Sequence, residues 1–233
     1  MIVYGRNVAK EVLKNNKKIK EVLLQDTFDD KEIISLLEKN NINTRRLNKK
    51  ELARFDKFSH QGIILDIEDF SYTDIDEFFD VENAKVVILD HLEDPHNLGA
   101  IIRTSEAAGI TGIIIPKDRS VDINSTVMKT SAGALENMKV AKVTNLTSTI
   151  KDLKDHGFWI VGTAMEADYD YREIDYSGKI ALVIGNEGNG ISKSVKDSCD
   201  YIARIPMNGK INSLNASVAA GIMIYEVQRN SLD

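Results

Sequence analysis

The chain has 233 residues, 42% of them hydrophobic and 28% charged, which supplies enough apolar mass for the core of one large or two small domains. The net charge is −6, and the single cysteine, Cys199, excludes an internal disulfide framework. No apolar run approaches the roughly eighteen residues of a membrane span, and residues 1–6 lack the basic-then-apolar layout of a signal peptide, so no membrane association and a cytoplasmic location are expected.

Charge is distributed unevenly. The first 60 residues hold 14 Lys and Arg against 9 Asp and Glu, net +5; the other 173 hold 16 against 27, net −11. The first part can attract phosphate, although a solvated Lys-rich face gives the same count.

In chain order, a helical pattern with Val8, Val12 and Leu13 on one face follows Tyr4-Gly5-Arg6-Asn7. Residues 21–25 (EVLLQ) predict a short strand. Asp29-Asp30 caps a helix carrying Ile33, Ile34, Leu36 and Leu37, residues 44–47 predict another strand, and Asn48 caps a short helix through Leu52. Residues 63–67 close an α-β-α-β-α-β module. Residues 71–83 are acidic and aromatic and predict a linker with one helical turn, which divides the chain into 1–70, 71–83 and 84–233.

A stronger alternation follows. Strands are predicted at 85–89, 112–115, 140–143, 158–162, 180–184 and 201–205, and helices at 98–108, 125–135, 148–154, 192–196 and 216–228. Strands that are apolar throughout and alternate with helices predict an α/β fold whose parallel sheet is covered on both faces, with ligands beyond the carboxyl ends of its strands.

Three polar segments stand at those ends. The first, residues 90–99 (DHLEDPHNLG), runs into a helix bearing Arg103. A guanidinium near a helix start suits an anion, and a surface ion pair with Glu106 is the plainer alternative. His91 and His96, among Asp90, Glu93 and Asp94, fit no standard zinc spacing, so no metal is expected. The second, residues 185–190 (GNEGNG), is neither a Walker A loop nor a dinucleotide fingerprint. Its glycines let backbone approach a flat ligand, or they simply make a tight turn. The third, residues 205–215, ends with Ser213 and Asn215 at the mouth of the last helix, where both are ordinary caps. Cys199, Trp159 and the apolar last helix read as structural.

In this order and spacing, residues 94–109 (DPHNLGAIIRTSEAAG), 182–191 (LVIGNEGNGI) and 205–221 (IPM…SLNASVAAG) together resemble the SpoU (TrmH-type) RNA 2′-O-methyltransferases. The first part, from Gly5-Arg6-Asn7 to His60-Gln61-Gly62, resembles that family's ribosomal-protein-like RNA-binding extension, a layout similar to the RlmB-type subgroup that modifies a guanosine of 23S rRNA. The resemblance implies a SPOUT-type fold with a trefoil knot and an obligate homodimer with its site at the subunit interface. S-adenosylmethionine would be the cofactor and RNA the partner.

It further implies that Gly185, Ile205 and Leu214 present backbone to the cofactor with Met207 and Thr163 nearby, and that Asn97, Arg103, Glu187, Ser213 and Asn215 line the reaction site. Arg6, Lys10, Arg45 and Arg46 are the expected RNA contacts. A tRNA methyltransferase, a non-catalytic ribosome-assembly factor on the same scaffold and a nucleotide-dependent oxidoreductase are the rivals; the last lacks a G-x-G-x-x-G after its first strand.

Overall fold

A computed structural model describes residues 1–14, 18–55, 60–167, 169–211 and 213–229. The first module contains β1 (Ile2–Tyr4), α1 (Arg6–Lys14), β2 (Ile19–Gln25), α2 (Lys31–Lys39), β3 (Thr44–Leu47), α3 (Lys49–Leu52) and β4 (Ile63–Ile67). Its sheet has the order β1-β4-β2-β3, antiparallel except for the β2–β3 pair. The expected order began with a helix; the structure begins with β1, whose three residues are too few to show an alternation. Asp30 accepts from the Ile33 amide, and Asn48 and Glu51 form a reciprocal capping box, so the caps read from sequence start these helices.

The second part comprises β5 (Lys85–Asp90), α4 (Pro95–Ala107), β6 (Gly112–Pro116), α5 (Ser125–Ser131), β7 (Val140–Val143), α6 (Leu146–Asp155), β8 (Phe158–Thr163), β9 (Tyr169–Asp170), β10 (Lys179–Gly185), α7 (Lys193–Lys196), β11 (Tyr201–Arg204) and α8 (Ala216–Gln228). Its seven strands are all parallel, ordered β7-β6-β5-β10-β8-β11-β9. The chain winds outward from β5 through β6 to β7, then crosses to build β8 to β11 on the other side. The crevice between β5 and β10 is therefore the switch point, where such sheets place their ligands.

Alternate side chains of each strand serve two cores. Val87, Leu89, Ile113, Val161, Leu182 and Ile184 pack with α4, α5 and α8. Val86, Ile88, Ile114, Ile160 and Val183 pack with Leu146, Ile150 and Leu153 of α6 and Val195 of α7. Burial on both faces is why these strands are apolar throughout.

Two helix boundaries and one strand differ most from expectation. The predicted helix over 125–135 stops at Ser131, because Ala132 (φ 47°) and Gly133 (φ 99°) turn left-handed before a 3-10 turn at Ala134–Glu136. The helix expected over 98–108 starts earlier, at Pro95, a residue that needs no amide partner in a first turn. The strand β9 was not anticipated; its two residues carry no periodicity.

The acidic 71–83 segment packs on the second sheet. The Thr73 amide donates to the Val140 carbonyl at 2.9 Å, and Phe78, in the 3-10 turn Ile75–Phe78, is fully buried. A Cβ on Gly112 would lie 2.4 Å from the Phe78 ring, so that glycine makes room for the aromatic anchor. The two parts also meet directly. Helix α1 and strand β1 touch α5, and Val8, Val12 and Leu13 belong to the same buried cluster as Met128 and Leu135.

Candidate active site

The β5–β10 pairing ends with Asp90 opposite Gly185, so the segments that follow these two strands leave the sheet side by side. Strands β8 and β11 end alongside, with Ala203 opposite Thr163. All three polar segments thus open on one rim.

Asp94 caps α4 by accepting from the His96 amide at 2.8 Å, which holds Asn97 in the first helical turn. Asn97 is buried, 7% exposed, and both ends of its amide are used. Its Oδ1 accepts from Asn215 Nδ2 at 3.0 Å, and its Nδ2 donates to the Glu187 carboxylate. Asn215 in turn caps α8, accepting from the Ser217 and Val218 amides at 2.9 and 3.3 Å. One side chain therefore fastens its own segment to two others, 90 and 118 positions further along the chain. A buried amide with a missing partner costs about 1–3 kcal/mol, so the three residues hold one another in place.

The 185–190 loop is a tight fold-back. Asn186 and Gly190 exchange backbone hydrogen bonds at 3.2 and 3.0 Å, and Asn186 Oδ1 accepts from the amides of Gly188 and Asn189. A Cβ on Gly185 would lie 2.1 Å from the Gly190 carbonyl carbon, so only glycine permits this approach. On the other side the loop is open: a Cβ on Gly190 would meet nothing within 4 Å.

Arg103 projects from α4, exposed, with no ion pair among the described residues. The alternative pairing with Glu106 does not form; Glu106 Oε1 instead accepts from Asn137 Nδ2 at 3.3 Å. Ser213 is exposed at the mouth of α8, and Leu214, beside it, is half-buried. Thr163, whose hydroxyl donates to the Val183 carbonyl at 3.1 Å, stands with Gly185 and Ile205 at the ends of the neighbouring strands β8, β10 and β11. Met207 is half-buried two residues beyond Ile205. Ile205, Met207 and Leu214 are half-buried apolar side chains on the segment that follows β11, and Gly185 brings bare backbone to the neighbouring strand end; apolar walls with backbone groups are the kind of lining an adenosine-bearing cofactor needs.

Asp90 is the last residue of β5 and has a role that the sequence pattern does not assign to it. It is 1% exposed, and its carboxylate accepts from the Ser192 amide at 2.6 Å and contacts His91 Nδ1 at 2.5 Å, tying the first polar segment to the end of the second. The available signal was a carboxylate ending an otherwise apolar strand. Cys199 packs against Gly162, and burial pushes its thiol up to about 12, in keeping with a structural residue.

The four expected RNA contacts all have local partners. Arg6 lies over the Phe28 ring and 3.7 Å from Asp30; Lys10 bonds Glu32 at 2.6 Å; Arg45 bonds Glu21 at 3.3 Å; Arg46 donates to the Asp26 carbonyl at 2.8 Å. The two ends of the module's signature meet in space. The Arg6 amide donates to Gln61 Oε1 at 2.9 Å, beside a cleft of about 540 Å³ lined by Arg6, Gln25, His60, Gln61 and Gly62.

Comparison with known proteins agrees with this geometry. The pattern of the SpoU rRNA Methylase family matches residues 84–225, and that described as RNA 2′-O ribose methyltransferase substrate binding matches residues 2–73. A protein of Staphylococcus saprophyticus assigned to the TrmH family of tRNA/rRNA methyltransferases is 45% identical over 98% of this chain and 95% of its own length. A Bacillus subtilis protein assigned likewise is 40% identical over 97% and 94%. Among solved structures, the AdoMet-bound rRNA methyltransferase of Sinorhizobium meliloti superposes with a TM-score of 0.83 at 27% identity, covering 100% of this chain and 88% of that one. AviRb of Streptomyces viridochromogenes, also with AdoMet, shares the fold at a TM-score of 0.83 and 24% identity, over 100% of this chain and 90% of that one. The chain is a member of the SpoU rRNA methylase family, the SpoU/TrmH RNA methyltransferases.

Proposed function

We propose that this chain transfers the methyl group of S-adenosylmethionine to a ribose 2′-hydroxyl of RNA, the target being a guanosine of 23S rRNA. The observation that carries the proposal is the Asn97–Glu187–Asn215 network beside an uncompensated Arg103 at the switch point of the sheet. The AdoMet-bound neighbours and the 2′-O ribose description of the module at residues 2–73 support the cofactor and the acceptor.

The cofactor supplies an electrophilic methyl on a positively charged sulfur; everything else falls to this chain. Gly185, Thr163, Ile205, Met207 and Leu214 would hold it against the strand ends. The Asn97 network fixes the loops that orient the two reactants, and such alignment is the larger part of catalysis where no metal takes part. The O–C bond forms as the C–S bond breaks, and the 2′-hydroxyl proton must leave. A guanidinium is a poor base, so Arg103 grips a phosphate of the RNA, and that phosphate relays the proton to water. Ser213, exposed beside Asn215, faces the ribose.

On this reading the segment from Gly185 to Asn215 forms the trefoil knot of the family, and two copies pair through the outer side of α8, where Val218 and Tyr225 are 50% and 49% exposed. A cytoplasmic location follows from an rRNA substrate. No helix among the described residues is long and apolar enough to cross a membrane.

The test is incubation with labelled S-adenosylmethionine and unmodified 23S rRNA, followed by mapping of 2′-O-methyl marks. A mark on one guanosine is expected. Label on a base, or none on any RNA, overturns the proposal, and a mark confined to tRNA moves the substrate while keeping the chemistry.

A further inference from the structure

We propose that Lys117, Arg119 and Lys129 form a phosphate-binding strip that carries the RNA backbone from the first module to the reaction site. The inference rests on the RNA 2′-O-methyltransferase reading above and adds the path of the substrate.

The strip lies on the route between the two parts. Helix α5 touches α1 and β1 on one side and α4 on the other. Its contact with α4 is close: a Cβ on Gly99 would lie 2.6 Å from Thr130 Cβ, two residues beyond Asn97. RNA held by the first module, with its target ribose at Arg103, must cross α5. Lys129 stands on the exposed side of that helix.

The segment that feeds α5 is strapped to the rim of the site. It leaves the carboxyl end of β6, next to β5 in the sheet. The Leu92 carbonyl, in the loop before Asn97, accepts from both the Val121 amide at 2.8 Å and the Ser120 hydroxyl at 3.2 Å. Tyr72 closes the far end, its hydroxyl accepting from the Ile123 amide at 3.1 Å and donating to Asp122 at 3.3 Å. Lys117 and Arg119 are thus exposed cations on a fixed segment.

Position and backbone set them apart from ordinary solvated charge. Neither they nor Lys129 has an ion-pair partner among the described residues, although Asp118 and Glu93 stand on the same two loops; Lys31 and Lys49 of the first module share that state, so the place beside the rim of the site is what distinguishes the three. Arg119 also adopts φ 52°, a left-handed conformation that costs energy in a residue with a Cβ, and His91 and Ala132, in the segments on either side, do the same. The backbone is bent so that a long cationic side chain stands out from the rim. A guanidinium and two ammonium groups with no carboxylate bound match successive phosphates, contacts that set register without reading sequence.

The experiment compares the full-length protein with the triple variant K117Q/R119Q/K129Q and a control that removes two cations, K151Q/K196Q, on the opposite helical layer. Unmodified 23S rRNA serves as substrate and probe. Expected for the triple variant are a KM for RNA raised at least about tenfold, kcat within about twofold, and a salt dependence of RNA affinity shallower by about two in log–log slope. S-adenosylhomocysteine affinity and melting temperature report that the fold and cofactor site are intact, and the single variant K129Q should move KM the same way. A triple variant whose KM and salt slope match the control overturns the strip while leaving the enzyme reading in place, as does a loss confined to kcat. A wild-type protein that methylates no RNA removes both.

Discussion

The two parts of the molecule carry positive charge in opposite ways. In the first module cations are numerous and several are held by carboxylates: Lys10 and Lys14 share Glu32, Arg6 lies between Asp29 and Asp30, Lys18 meets Glu68 and Arg45 meets Glu21, while others such as Lys31, Lys49 and Lys50 have no ion pair among the described residues. The second part is net negative, yet around its strand ends Arg103, Lys117, Arg119 and Lys129 have no carboxylate partner among the described residues. A count along the chain finds the module with the excess of charge. It does not find where charge is left over for a ligand, because compensation is set by pairs far apart in sequence, such as Lys10 with Glu32.

The sharpest way to break this comparison is at Arg103. If the uncompensated guanidinium acts on the RNA, Arg103→Ala lowers kcat by about 10²–10³, the scale of losing one charge-stabilising donor, and leaves S-adenosylhomocysteine affinity unchanged. Steady-state kinetics with cofactor-binding calorimetry checks both. Retention of more than a tenth of wild-type kcat would refute an essential role. Next comes Phe78, the anchor of the connecting segment. Phe78→Ala should cost about 3–5 kcal/mol in denaturant unfolding, as for other buried aromatics. A loss under about 1 kcal/mol would show that the segment is a tether rather than part of the core.

Asn215 separates architecture from chemistry. Asn215→Ser keeps a capping oxygen and loses the amide that reaches Asn97, whereas Asn215→Ala loses both. The alanine variant should be less stable than the serine one by about 1 kcal/mol, with methyl transfer impaired in both. Equal activity of Asn215→Ser and wild type would mean that the hydrogen bond to Asn97 does not organise the site.

The sequence made some of this legible. Six of the seven strands of the larger sheet could be placed, the central ones because burial on both faces writes an unbroken apolar run, and caps such as Asp30 and Asn48 are local signals. The short strands β1 and β9 are held by neighbours, not by a pattern of their own. The break at Ala132 was hidden because alanine gives no warning of a left-handed turn. Asn97, Glu187 and Asn215 could be named through the family resemblance. That they touch follows only from the register of β5 with β10, and ordinary capping explains Asn215 equally well when it is read alone.

The smallest expected effect is also the most direct test of compensation. Glu32 accepts from Lys10 and Lys14 at 2.6 and 3.0 Å, and the Lys10 hydrogen bond is the main reason its carboxyl sits below the ordinary 4.5. A carboxyl lowered in the folded state contributes stability above its unfolded value, and loses it as pH falls through the folded one. The pair is therefore intact at neutral pH, and Glu32→Gln is the way to remove it there. The pair is fully exposed, so stability should hardly change. What should change is RNA affinity: a freed Lys14, and a Lys10 left with only Asp30 at 3.7 Å, would tighten binding a few-fold at low salt and steepen the salt dependence by up to about one in log–log slope. If filter binding shows no gain, those lysines either already engage RNA around their carboxylate or lie off its path. The α1 face would then be no reserve of masked charge, and the contrast between the two parts would reduce to location alone.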